Sequence, residues 1–239
     1  MDAIRVSARE GYALWADTWD STPSPIVALE RRMLQPWIAC LSPRRAIDVG
    51  CGTGRWTTRL SAIGVDASPA MLAVASGKPG LRGRLAVADA TALPIASGSA
   101  DLVLCALTLG HVRDPFAAMR EFARILAPGG TLLLTDFHPA AAAQGWRRTF
   151  RRDGRVYELE NHAYTLDQLR DAAAGLELAE CAEATIGEPE RELFDTAGRL
   201  ELFAAACSTP AVLVTRWRRI CPPLPHGRGS AWIVMEPRP

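Results

Sequence analysis

Ala46-Ile47-Asp48-Val49-Gly50-Cys51-Gly52-Thr53-Gly54 constrains this chain more than any other stretch. Four residues, Ala46 to Val49, read as a strand covered on both faces. Three glycines at alternate positions follow, and residues 55–60 open a helix. Strand, glycine turn and helix in that order bring backbone close to an adenosine-bearing cofactor in a doubly wound fold. The spacing is G-x-G-x-G with an acid, Asp48, inside the strand end, not the G-x-G-x-x-G that cradles a pyrophosphate. A cofactor without phosphates needs the close backbone approach but no anion site at the helix N-terminus.

Strand and helix signals alternate downstream. Residues 62–66, 84–88, 101–106 and 131–136 read as further strands. Ser68-Pro69 and Asp114-Pro115 supply N-caps followed by proline at the first helical position. Phe116, Met119, Phe122, Ile125 and Leu126 fall at helical spacing, and Pro128-Gly129-Gly130 is expected to stop that helix. Thr165-x-x-Gln168 is a capping box. Residues 176–186 and 211–217 are predicted strands, and 190–207 one long amphipathic helix. The expected architecture is α/β: a Rossmann-like, doubly wound sheet, mostly parallel. Residues 1–42 are expected to form a helical cap segment and 43–218 the main domain. An acceptor-side insert is expected at 139–164, and 219–239 a Pro/Gly-rich tail.

Bulk properties narrow the class. With 239 residues, the chain has length enough for one large core. A net charge of +1 offers no general attraction to nucleic acid or anionic membranes, so neither is an expected partner. Residues 1–5 lack an apolar signal region, and no run approaches a membrane span, so a cytoplasmic setting is expected. The six cysteines form no C-x-x-C pair and read as reduced thiols. The histidines have no metal-ligand spacing, and no G-x-S-x-G elbow occurs, so neither a metal nor a serine nucleophile is expected.

Acids at strand ends identify the cofactor class. Asp66 ends the second strand, where an ionised carboxylate accepts from both ribose hydroxyls. Asp89 follows the third strand, where it faces an adenine amine. A dinucleotide site shares only the ribose acid. The glycine loop with both acids therefore favours S-adenosylmethionine over NAD.

Four segments carry a family resemblance. They are residues 47–54, Gly64-Val65-Asp66-Ala67-Ser68-Pro69-Ala70-Met71-Leu72, Asp89-Ala90-Thr91-Ala92-Leu93-Pro94, and Arg124-Ile125-Leu126-Ala127-Pro128-Gly129-Gly130. Together they resemble the class I S-adenosylmethionine-dependent methyltransferases, close to the ubiquinone/menaquinone-biosynthesis branch with its type 11 methyltransferase domain. The resemblance implies seven strands with the last, 211–217, antiparallel. It implies that Gly50, Gly52 and Gly54 approach the methionine part, that Asp66 holds the ribose, and that Asp89 and Ala90 meet the adenine. Asp48, Cys51, Ala67, Met71 and Ala106 complete the implied cofactor set. Tyr12 and Trp15 match an N-terminal segment that closes over the cofactor in this family. One departure concerns length: only 11 residues separate Gly54 from Asp66, so the helix between them should be stunted.

The implied activity is methyl transfer from S-adenosyl-L-methionine to a small-molecule acceptor, leaving S-adenosyl-L-homocysteine. Displacement at a sulfonium asks mainly for positioning, with a general base where the acceptor has a proton to lose. His111 and His138, which follow the fourth and fifth strands, are the candidate bases and acceptor-binding residues; either could instead cap a strand end. Residues 145–155 hold five arginines around Trp146 and Phe150. Trp146 and Arg147 are candidate acceptor contacts, and the run could bind a carboxylate or phosphate on the acceptor, an acidic carrier protein or RNA. A solvated hairpin is the favoured reading, since the overall charge is balanced and Lys78 is the only lysine among 27 basic residues. A non-catalytic S-adenosylmethionine-binding domain and an NAD-dependent oxidoreductase are the alternatives.

Overall fold

A computed structural model of the chain describes residues 3–221, so the expected tail lies outside the described residues from 222 onward. A strand β1 (Ile4–Val6) leads into α1 (Ala8–Trp15), a 3-10 turn (Trp19–Ser21) and α2 (Pro25–Ala39). The sheet core follows as β2 (Ala46–Val49), α3 (Arg55–Leu60), β3 (Ile63–Asp66), α4 (Pro69–Ser76), β4 (Leu85–Val87) and β5 (Ala100–Ala106). Next come α5 (Pro115–Ile125), β6 (Leu126–Phe137), α6 (Pro139–Ala143), β7 (Thr149–Arg152) and β8 (Arg155–Leu159). The chain continues through α7 (Leu166–Ala172), β9 (Leu176–Thr185), α8 (Arg191–Thr196), α9 (Phe203–Cys207) and β10 (Pro210–Arg219).

Seven strands form the main sheet in the order β4-β3-β2-β5-β6-β10-β9. Its pairs are parallel from β4 to β6, whereas β10 runs antiparallel to both β6 and β9. The strand order reverses beside β2, which puts the glycine loop at the topological switch point. All four residues of β2 are buried, as a strand covered on both faces requires. Successive residues of β5 serve opposite layers. Val103 and Cys105 pack with Met119 and Phe122 of α5, while Leu102 and Leu104 pack with Leu29 and Leu34 of α2.

Local signals place the helices. Ser68 accepts from Met71 N, and Asp114 from Ala117 N, each ahead of a proline at the first helical position. Capping boxes open α1 (Ser7 with Glu10) and α7 (Thr165 with Gln168). The helix behind the glycine loop has only 6 residues, the stunted crossover that its spacing predicts.

Three expectations need correction. The helix predicted over 190–207 is broken into α8 and α9, because Gly198 takes φ +62° and its N–H turns back to Asp195 O. The helix α5 ends at Ile125, before the Pro-Gly-Gly run, which lies within the long strand β6. The N-terminal segment is not wholly helical: β1 pairs in parallel with β8, which forms a hairpin with β7, giving a second, three-stranded sheet. This small sheet and α1 enclose their own cluster of Trp15, Phe150 and Leu159, with Tyr12, Trp19 and Tyr157 around it.

Candidate active site

Main-chain geometry at the end of β2 builds the floor of the site. Gly50, Gly52 and Gly54 all adopt positive φ. The N–H groups of Gly50 and Cys51 both donate to Val65 O, which folds the loop over β3. A Cβ on Gly50 would stand 2.1 Å from the Thr108 side chain, whereas one on Gly52 would meet nothing within 4 Å. Thr108 Oγ1 donates to Gly50 O at 3.2 Å and so links the loop after β5 to the loop after β2.

The three strand-end acids differ in their surroundings. Asp48 is buried and accepts from Thr57 Oγ1 at 2.6 Å; burial pushes its carboxyl up to about 6. Asp66 accepts from Gly52 N and Ser68 N, both at 2.8 Å. Burial raises its pKa, and those two N–H groups oppose the shift. Asp89 accepts from the Thr91 N–H and hydroxyl at 2.8 and 2.6 Å.

These groups surround one cavity of about 610 Å³. Its floor holds Asp48, Gly50, Cys51 and Gly52 from the first loop, and Asp66, Ala67 and Met71 from the second. Asp89, Ala90, Ala106 and His111 form a wall, and Tyr12 of α1 belongs to the roof. The roof is tethered by Asp20, which accepts from Thr53 Oγ1 at 2.6 Å and pairs with Lys78 Nζ at 2.6 Å.

Five expected site residues stand outside the cavity. Trp15 is stacked on Phe150, ring centroids 4.6 Å apart, inside the small cluster. Gly54 is the N-cap of α3, packed under Leu81 rather than facing the cavity. His138 caps α6: its Nδ1 accepts from Ala140 N at 3.1 Å, and Nε2 lies 3.4 Å from Glu183. Trp146 packs on the α2 side of the sheet, and Arg147 donates to the carbonyls of Ala142 and Trp146. The folding of residues 139–164 into a helix and a hairpin turns Trp146 and Arg147 away.

His111 lines the cavity in a defined tautomer. Its Nδ1 lies 2.9 Å from Glu160 O, a group that only accepts, so Nδ1 carries the proton. The lone pair on Nε2 then faces Tyr12 Oη at 2.9 Å and Arg148 Nη1 at 2.7 Å. Burial first, and the Arg148 charge second, push the imidazole pKa down to about 3. Arg148, which stands behind His111, was not singled out in the sequence, where it is one arginine of a run; nor were Thr108, Trp19 and Arg9, which line the cavity. Leu107, beside them, holds φ +54°, an outlier for a bulky residue at the mouth of β5.

Residues 47–134 match the family described as methyltransferase domain. That segment is similar to methyltransferase domains. The demethylmenaquinone methyltransferase of Thermus thermophilus is 37% identical over 108 residues, 41% of this chain and 49% of that relative. The chain thus spans about half the length of the curated relatives it matches. An S-adenosylmethionine dependent methyltransferase from Mesorhizobium loti superposes with TM-score 0.58 at 22% identity, over 78% of this chain and 97% of that one. The [4+2]-cyclase SpnF superposes with TM-score 0.64 at 18% identity, over 93% and 100%. These structural likenesses establish the shared methyltransferase-type fold, the seven-stranded sheet with its antiparallel strand. Among the described residues, no cluster of metal ligands occurs and no helix is long and apolar enough to cross a membrane.

Proposed function

We propose that this chain transfers the methyl group of S-adenosylmethionine to a small-molecule acceptor and releases S-adenosylhomocysteine. One observation carries the reading: Asp66 clamps the glycine loop through Gly52 N while its remaining lone pairs border the cavity. The residues present fit the cofactor. Open space above Gly52 admits a ligand against bare backbone, and the cavity lies within the range of small-molecule sites. Asp66 would hold the ribose hydroxyls, Asp89 and Ala90 the adenine, and Gly50 and Gly52 the methionine part above the Asp48 carboxylate.

When bound, the cofactor supplies a methyl carbon activated by a sulfonium. The work left to this chain is positioning and exclusion of water. Tyr12 and Trp19 roof the cavity, and Asp20 ties that roof to Thr53 and Lys78. His111 contributes a neutral wall, its lone pair committed to Arg148 and Tyr12, rather than a free base. The helix and hairpin of 139–164 form the acceptor side of the domain in this reading. The six unpaired cysteines support a reducing, cytoplasmic setting.

Calorimetric titration of the chain with S-adenosylmethionine and S-adenosylhomocysteine tests the cofactor, and mass spectrometry of incubated candidate acceptors tests the transfer. Micromolar binding of both and a product heavier by one methylene are expected. A folded chain that binds neither overturns the reading.

A further inference from the structure

Arg148 lies one residue ahead of β7, and its guanidinium reaches the C-terminal end of β5. Only Nη1 is engaged: it donates to Leu107 O at 2.9 Å and to His111 Nε2 at 2.7 Å, with Asn161 Oδ1 at 3.4 Å. All three partners are neutral. Four other half-buried arginines, Arg55, Arg124, Arg152 and Arg216, each hold a carboxylate at 2.6–2.9 Å, while Arg219, like Arg148, has a carbonyl partner and, among the described residues, no carboxylate. Among the described residues no carboxylate comes within ion-pair distance of Arg148, and its Nε and Nη2 have no hydrogen-bond partner. Asp136, the buried acid nearby in charge, spends its oxygens on the N–H groups of Gly110 and Phe137.

The guanidinium stands one hydrogen bond behind the cavity wall, because His111 lines the cavity. Nearby carboxylates are already used. Glu160 pairs with Arg113 at 3.2 Å, and Asp114 caps α5 through Ala117 N. Arg9 lines the same cavity and has no partner among the described residues. Arg148 thus holds a planar fork in which two donor atoms have no protein partner among the described residues. A fork of this kind pairs with a planar oxyanion through parallel N–H bonds that a neutral imidazole nitrogen cannot match.

We infer that Arg148 is the anchor of an anionic methyl acceptor, a carboxylic acid or similar ionised oxygen acid, which displaces the His111 lone pair from the guanidinium. The inference rests on the methyltransferase reading and names the class of its substrate. His111 is the movable neighbour: it holds Arg148 in place until the acid arrives, and it takes no proton from the acceptor.

Calorimetry on the S-adenosylhomocysteine complex of the full chain provides the test. The probes are benzoate, cinnamate and octanoate, each against its primary amide, which keeps the shape and removes the charge. At least one acid is expected to bind tenfold or more tightly than its amide, the difference that a charge-assisted pair supplies. Arg148→Gln should abolish that preference and leave the affinity for S-adenosylhomocysteine within about twofold. Arg148→Lys, which keeps the charge without the fork, should retain part of the preference and serves as the readout where the glutamine variant unfolds. Equal binding of acid and amide in all three pairs overturns the inference, as does a preference that survives in both variants. Absence of S-adenosylhomocysteine binding overturns it together with the methyltransferase reading, whereas parity with that binding intact removes the acidic acceptor alone.

Discussion

Thr57 Oγ1 donates a 2.6 Å hydrogen bond to Asp48 Oδ2, so the first full turn of α3 is fastened to the strand that precedes the glycine loop. That bond only partly offsets the burial of the carboxyl, whose pKa is pushed up to about 6 from 3.8. The folded state therefore holds a proton on Asp48 over a window, about pH 4 to 6, in which the unfolded chain has released it. Stability falls as pH rises through that window, by on the order of 2–3 kcal/mol. Asp48→Asn keeps an acceptor for Thr57 and should remove this component. Urea melts at pH 4 and pH 7 on both proteins read the difference.

The same carboxylate should make cofactor affinity depend on pH in the opposite sense. A cationic cofactor favours the ionised form, and at pH 5 a group with pKa about 6 is roughly one-tenth ionised. Binding of S-adenosylmethionine should weaken by up to about tenfold between pH 7.5 and pH 5, with Asp66, also raised by burial, adding to the slope. Calorimetry on Asp48→Asn should show a shallower dependence. An unchanged slope would place the effect elsewhere.

The glycines offer a sharper contrast within one loop. Gly50→Ala sets a methyl group 2.1 Å from the Thr108 side chain at φ +70°, so the loop or the post-β5 turn must move. Loss of several kcal/mol and of cofactor binding is expected. Gly52→Ala meets no protein atom and should cost only about 1–2 kcal/mol of backbone strain. Its new methyl group occupies ligand space, so S-adenosylhomocysteine affinity should fall far more than the melting temperature. Parallel melts and titrations of the two variants separate the effects.

Much of this site was legible because strand ends and glycine turns are local features. Asp48, Gly50, Gly52, Asp66 and Asp89 reach the cavity through spacing alone, each within a few residues of its strand. The rest depends on pairings between distant segments. Ile4–Val6 becomes a strand only because β8 lies beside it, over 150 residues later in the chain. That pairing, with the hairpin it completes, aims Arg148 at His111 and carries Trp146 and Arg147 away. Trp15 looked like a cofactor lid by motif, yet Phe150 takes its face. The broken helix at Gly198 had good apolar spacing throughout, and a single positive φ decided it.

His111 should titrate as a silent histidine. Its pKa of about 3 lies below the ordinary value of 6.5, so the unfolded chain binds the proton between those values and the folded chain does not. Stability from this group is complete above pH 6.5 and is lost as pH falls towards 3. Its imidazole carbon resonances should stay constant in NMR spectra from pH 8 to pH 5. Where the His111 titration appears near pH 6.5, the contact with Arg148 is not maintained in solution.

Phe150 tests whether the roof is a separate cooperative unit. Its ring stacks on Trp15 at 4.6 Å and on Tyr157 at 5.1 Å, within a cluster distinct from the two that fill the main sheet. Truncation of a buried aromatic costs about 3–5 kcal/mol at its own site. Local units of this kind open without global unfolding. Phe150→Ala should therefore accelerate amide hydrogen exchange across residues 4–15 and 149–159 while leaving β5 and β6 protected. Because Tyr12 and Trp19 join the same cluster and line the cavity, S-adenosylhomocysteine should dissociate about tenfold faster. Loss of protection throughout the main sheet would instead make roof and sheet one unit.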